Sequence, residues 1–173
     1  MPTPPALDRF DIAILDILQT DNTTPQRVIA QAVSLSAPAV QRRIKRLQDT
    51  GVIRANVAVL DPAKVGKPLT IVLEVHLENE RPDRTAPLRA RMAAEAAVQQ
   101  CYGVTGEADY LLVVTVASMA DYEALTQRLF DGDDNIKRFR TSVALASLKT
   151  GLRVPLESPT PTAQPPSPSP SQA

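Results

Sequence analysis

The sequence predicts an α+β chain: an N-terminal three-helix helix-turn-helix domain, winged-helix-like, followed by a βαββαβ domain of ferredoxin-like topology. Three observations predict it. Residues 24–51 read as two short helices joined by a Ser-Leu-Ser turn. Just after Gly51 the apolar pattern changes from helical to alternating. From residue 69 onward, segments follow in the order strand, helix, strand, strand, helix, strand.

Residues 1–6 are Pro-rich and expected to be flexible. Asp8 is placed to cap a helix whose Phe10, Ile14, Ile17 and Leu18 share one side, and Asp21 with Asn22 breaks it. Thr24 is placed to cap the next helix, Pro25 suits a first helical position where no amide bond is needed, and Val28, Ile29, Ala32 and Val33 form its apolar face. Ser34 ends it. Ser36 is placed to cap a third helix in which Val40, Ile44 and Leu47 recur at i, i+4 and i+7, with Gly51 where a left-handed residue closes a helix.

Opposite that apolar face, at about 100° per residue, the third helix carries Pro38, Arg42, Lys45 and Arg46, with Gln41 and Arg43 on the flanks. From Ala37 to Arg54 five cations stand against the single acid Asp49, a local charge of +4 in a chain of net charge 0. A basic run alone is accounted for by a solvated helix face. The preceding helix and tight turn supply the scaffold that presents such a helix to a DNA major groove. Pro38, Gln41, Arg42 and Lys45 are then expected nearest the bases, and Arg43 and Arg46 nearer phosphates.

Ile53, Ala55, Val57 and Val59 alternate with Arg54, Asn56 and Ala58, which predicts a strand leaving the bundle. The DNA-binding domain is thus residues 7–60. Asp61-Pro62 and Gly66-Lys67-Pro68 mark a linker over 61–68. Across 69–152, Ile71, Leu73, Val75 and Leu77 form one strand face, and a helix opens at Pro82-Asp83 and runs to about Gln99 with Leu88, Met92 and Ala96 inward. Cys101–Thr105 and Tyr110–Ala117 read as strands around the turn Gly106-Glu107-Ala108-Asp109. Ser118 and Asp121 resemble a capping box, opening a helix with Tyr122, Leu125 and Leu129 inward. Asp131–Asn135 stops it, and Phe139, Thr141, Val143 and Leu145 belong to a fourth strand. The result is an antiparallel sheet with both helices on one face. Leu111–Val114 is apolar on both sides, so a second copy is expected against the other face.

Seven of the sixteen prolines fall in the last 19 residues, and residues 153–173 are expected to form a disordered tail. At 173 residues and 43% hydrophobic content, each domain is small enough to need a partner, so a homo-oligomer is expected. No apolar run matches a membrane span and the N-terminus has no signal-peptide pattern, which predicts a cytoplasmic protein without a membrane partner. One Cys and one His exclude an internal disulfide and structural zinc spacing, and six glycines assemble no phosphate loop or dinucleotide fingerprint. No metal, cofactor or catalytic residue is expected. His76, between Glu74 and Glu78, reads as a surface histidine, and Cys101 as a small core residue.

The chain resembles the Lrp/AsnC family, the feast/famine transcription regulators, over residues 7–152. The residues that carry the likeness are Leu7-Asp8 with Ile14-Leu15 and Leu18-Gln19, Leu35-Ser36 running into Val40, Arg43-Ile44-Lys45-Arg46-Leu47, Gly51-Val52-Ile53, and the stretch Val104–Leu112. It departs from the family at Asp133-Asp134-Asn135-Ile136, where Gly then Val is frequent, at Ala108, where an aromatic is frequent, and in the added tail. The resemblance implies a regulator that binds double-stranded DNA, dimerises through the βαββαβ domain, assembles further into rings, and responds to an amino acid or related small metabolite. Carried over residue by residue, the effector site falls on Gly106, Glu107, Ala108, Asp109 and Tyr110. A glycine lets backbone amides approach a carboxylate, and an acid meets an ammonium group. A plain hairpin in which Gly106 supplies positive φ is the other reading of the same residues.

Two further classes fit the outline. Sirohaem decarboxylases have a similar two-part architecture, but proton transfer to a tetrapyrrole calls for several histidines or arginines in the second domain, and the one histidine there, His76 on a strand, is thin support, so the chain is not expected to be an enzyme. An effector-independent DNA-architectural protein is the third reading.

Overall fold

The computed structural model describes residues 6–157. They divide into two compact units, one comprising residues up to 57 together with those from 151, the other residues 58–150. The expected flexible N-terminus, but for Ala6, and the expected tail from 158 lie outside the described residues.

The first unit is built on three helices, α1 (Arg9–Thr20), α2 (Gln26–Ala32) and α3 (Ala37–Asp49). Asp8 caps α1 by accepting from the Phe10 and Asp11 amides, and Asp11 accepts from the Asp8 amide in return, a closed capping box. Ser36 accepts from the Ala39 amide to start α3, and Gly51 follows it in the left-handed region at φ 74°. Ser34, at φ 55°, completes the turn between α2 and α3, and the Leu35 amide reaches the Ala30 carbonyl at 2.9 Å. The core is Ile14, Ile29, Ala30, Val33 and Val40, edged by Phe10, Ile17, Leu18 and Ile44.

Two details of α2 differ from expectation. Pro25, not Thr24, holds the cap position, and the Thr24 hydroxyl instead donates back to the Asp21 carbonyl at 2.8 Å, closing the α1–α2 turn. The buried face is Ile29, Ala30 and Val33, while Val28 and Ala32 are exposed, because a seven-residue helix turns only a narrow stripe to the core. The strand expected over 53–59 does not form among the described residues. Val57 and Val59 are exposed, and an alternating pattern without a neighbouring strand has nothing to pair with.

Residues 153–154, expected to begin the tail, are instead bonded to α1. Arg153 pairs with Asp16 at 3.0 Å. The Gln19 side chain bonds Val154 in both directions, donating to its carbonyl at 3.1 Å and accepting from its amide at 2.7 Å. On the helix wheel Asp16 and Gln19 share a stripe with the buried Ile12 and Leu15, opposite the core face of α1.

The second unit is an antiparallel four-stranded sheet of order β2-β3-β1-β4. Its strands are β1 (Leu69–Leu77), β2 (Val98–Gly103), β3 (Tyr110–Val116) and β4 (Ile136–Val143), with α4 (Pro82–Ala94) and α5 (Met119–Phe130) in the two crossovers. Both helices bury their inner residues, Leu88 and Met92 from α4 and Tyr122, Leu125 and Leu129 from α5, into one core with Ile71, Leu73, Leu112 and Val114. Strand alternation therefore puts Val72, Glu74 and His76 of β1, and Leu111 and Val113 of β3, on the helix-free face. Helix α4 stops at Ala94 rather than near Gln99, because Val98–Gly103 is drawn into pairing with β3 and Glu95 is already extended at ψ 118°. Ala96 is exposed beyond that end. Leu145, 99% exposed, lies past the end of β4. Among the described residues no helix is long and apolar enough to cross a membrane.

Candidate nucleic-acid interface and effector turn

On α3 the core-facing Val40 and Leu47 are buried, and Pro38, Gln41, Arg42 and Lys45 are exposed together on the far side. Arg42 has no side-chain partner among the described residues. Lys45 pairs with Asp49 one turn on, at 3.0 Å, both exposed. That contact is weak.

Arg43 and Arg46 have a second partner that was not visible in their own segment. Both reach α1, where the Asp11 side chain is fully buried. Arg43 Nη1 lies 2.8 Å from Asp11 Oδ1 and 2.8 Å from Asp8 Oδ2, and Arg46 Nη2 donates to Asp11 Oδ2. The bonds to Asp11, then to Asp8, hold the Arg43 guanidinium above its ordinary pKa. Burial works to raise the Asp8 carboxyl, but the Asp11 amide and Arg43 bring it below the usual carboxylate value. Half of the Arg46 side chain and about a quarter of that of Arg43 remain open, at 50% and 26%. The capping spacing of Asp8 and Asp11 is legible in sequence, but their pairing across 32 to 35 residues is not.

Residues 104–109 form the loop between β2 and β3, and Gly106 to Tyr110 follow one another at one end of the sheet. Gly106 has φ 123°, and a Cβ there meets nothing within 4 Å. Its glycine is required by backbone conformation, with open space beside it. Glu107 is exposed, while Ala108, Asp109 and Tyr110 are half-buried. Three bonds tie this loop to β1. The Asp109 amide donates to the Val75 carbonyl at 2.9 Å, Asp109 Oδ2 accepts from the Leu77 amide at 2.7 Å, and His76 Nδ1 lies 2.7 Å from the Glu107 carbonyl. Asp109 therefore has one oxygen committed to the fold and one left over.

His76 is buried, at 4% exposure, contrary to the surface position its acidic neighbours suggest, because the loop lies over it. Its Nε2 is buried without a hydrogen-bond partner, 3.9 Å from Glu74. Cys101 also departs from expectation: it is exposed. It borders an open groove of about 700 Å³ that is lined also by Ala86, Arg89, Ala90, Gly103 and Tyr110 and opens beside the loop. Partial burial pushes its thiol pKa up, and Arg89 only partly offsets this. Among the described residues no group of three His, Cys, Asp or Glu side chains is arranged to hold a metal ion.

At the loop where the sequence departs from the family, Asp133 pairs with Arg91, whose Nε also bonds the Leu129 carbonyl at 3.1 Å, and Asp134 pairs with Arg84 at 2.9 Å. Asn135 is buried and donates to the Asn79 carbonyl at 2.9 Å. The acids here close the C-terminal end of α5 onto α4.

Comparison with known proteins agrees with this two-unit construction. Residues 7–48 match the AsnC-type helix-turn-helix domain and residues 70–154 the Lrp/AsnC ligand binding domain. The uncharacterized HTH-type transcriptional regulator y4tD of Sinorhizobium fredii is 40% identical over 151 residues, covering 87% of this chain and 89% of that one. A crystal structure of an AsnC family transcriptional regulator from Agrobacterium tumefaciens superposes with a TM-score of 0.80 at 31% identity, over 86% of this chain and 97% of that one. The transcriptional regulator NMB0573 of Neisseria meningitidis, solved as its L-Met complex, gives 0.76 at 27% identity, over 87% and 97%. The helix-turn-helix unit, the βαββαβ unit and these matches together establish that the chain belongs to the Lrp/AsnC family of transcriptional regulators.

Proposed function

We propose that α3 reads a DNA major groove through Pro38, Gln41, Arg42 and Lys45, with Arg43 and Arg46 on its flank toward phosphates. We propose also that an amino acid or related small metabolite binds at the Gly106–Tyr110 turn at a contact between subunits. The observation that carries the first part is the exposed face of α3, cationic and without an acid before Asp49, next to the tight α2–α3 turn, a shape that fits a groove and a charge that fits its rim.

The second part is supported by the open space beside Gly106, the spare oxygen of Asp109 and the adjoining groove with Arg89 on its wall, which offer room for a ligand bearing both an ammonium and a carboxylate. That the Neisseria relative was solved with L-Met favours the same ligand class. Val72, Leu111 and Val113, half-buried on the helix-free face, are the surface for a second copy, so the working form is a homodimer or a larger homo-oligomer. A decarboxylase-like role is not favoured: the one histidine of the chain is buried beneath the turn.

The test of the DNA reading is a salt series of duplex binding on the parent and on Arg42→Ala. Loss of one phosphate contact lowers the slope of log affinity against log salt by about 0.9, whereas loss of a base contact lowers discrimination between sequences. Unchanged slope and unchanged discrimination would remove α3 from the interface.

A further inference from the structure

We propose that Asp11 is a positioning residue for DNA binding: from inside the first unit it aims Arg43 and Arg46 along the flank of α3 so that their outward N–H groups meet phosphates. This rests on the reading that α3 faces DNA. Both Asp11 oxygens are occupied, Oδ1 by Arg43 and Oδ2 by Arg46 and by the Asp8 amide at 3.1 Å. The carboxylate has no exposed surface, so it cannot swing away to solvent. In the described bonds to Asp8 and Asp11 each guanidinium uses one terminal nitrogen, leaving its other donors free. A guanidinium is planar and rigid, so anchoring one terminal nitrogen restricts where its remaining donors point. For Arg43 the Phe10 ring, 5.4 Å from the guanidinium carbon, restricts the plane further. Two long side chains that are otherwise free to sample many rotamers are thus ordered before DNA arrives, which lowers the entropy lost on binding.

The proposal makes a prediction opposite in sign to simple electrostatics. A carboxylate beside DNA-facing cations repels phosphate, so its removal by charge alone tightens binding. Positioning requires the reverse. Asp11→Asn keeps the shape and removes the charge, and Asp49→Asn removes one from the exposed end of α3, where Asp49 pairs with Lys45. Binding to mixed-sequence duplex DNA is read by fluorescence anisotropy over a salt series, with the full chain and with the melting transition of each variant recorded. Asp49→Asn is expected to bind as tightly as the parent or tighter. Asp11→Asn is expected to bind about tenfold more weakly, with a salt slope shallower by about one to two units, although the protein has become more positive.

Asp11→Asn binding as tightly as the parent with an undiminished slope overturns the proposal. If Asp11→Asn does not melt cooperatively, Arg46→Lys carries the test, since it keeps the charge and loses the fork: weaker binding supports positioning, and parent-like binding overturns it. Arg42→Ala separates this from the reading beneath it. Unchanged salt slope and unchanged discrimination between sequences in Arg42→Ala remove α3 from the interface and the proposal with it, while a weakened or less discriminating Arg42→Ala beside unweakened Asp11→Asn overturns the positioning alone.

Discussion

His76 Nδ1 and the carbonyl oxygen of Glu107 lie 2.7 Å apart, joining the C-terminal end of β1 to the loop that carries Gly106. A carbonyl only accepts, so Nδ1 is the donor in this bond. The bond holds the loop against β1 beside the Asp109–Val75 and Leu77–Asp109 bonds. His76→Ala is therefore expected to cost about 1 kcal/mol of stability and to speed hydrogen exchange at the Asp109 amide. His76→Asn, which keeps a donor, is expected to restore much of the protection. Equal exchange in the parent and His76→Ala would show that the bond does not hold the loop.

Acid should weaken the second unit through Asp133. Burial acts to raise its carboxyl, but the Arg91 bond and the Asn135 amide bring it below its ordinary 3.8. A carboxyl depressed in the folded state contributes stability that is fully present above its unfolded pKa and lost as pH falls through the lower folded value. The melting temperature is expected to fall below about pH 4, and Asp133→Asn to melt lower than the parent at neutral pH with a flatter acid limb. Parallel acid limbs in the two proteins would contradict this account of the pair.

The two-way bond between Gln19 and Val154 and the Arg153–Asp16 pair fasten residues 153–154 to α1. All are exposed, so each is worth little. Gln19→Ala is expected to lower stability by about 0.5–1 kcal/mol and to make the chain near 153 a faster site of limited proteolysis. Cleavage at an unchanged rate would show the segment is not held there.

What the sequence made legible is what local chemistry decides. The Asp8 and Ser36 caps, the i, i+4, i+7 apolar stripe of α3, the left-handed Gly51 and the β2–β3 loop around Gly106 each depend on residues within a few positions of one another. What it hid is non-local. Glu74, His76 and Glu78 look like a wet strand face until the β2–β3 loop folds over His76. Arg43 and Arg46 look free until α1 brings Asp11 beneath them. The alanines after Ala94 favour helix, but pairing of Val98–Gly103 with β3 overrides them. Residues 153–154 were masked by the proline-rich composition that follows.

The central claim, that a small amino acid acts through the Gly106 turn on a DNA-binding protein, is tested most directly by calorimetric titration of the amino acids into the parent and Gly106→Val. At φ 123° a β-branched residue is strained, and its side chain fills the open space beside the turn. At least one amino acid is expected to bind the parent saturably and shift its DNA affinity, by a coupling of about 1–3 kcal/mol. Gly106→Val is expected to bind that ligand at least about tenfold more weakly while keeping the parent's ligand-free DNA affinity. Equal binding by both proteins would place the site elsewhere, and no binding by the parent would contradict the claim outright.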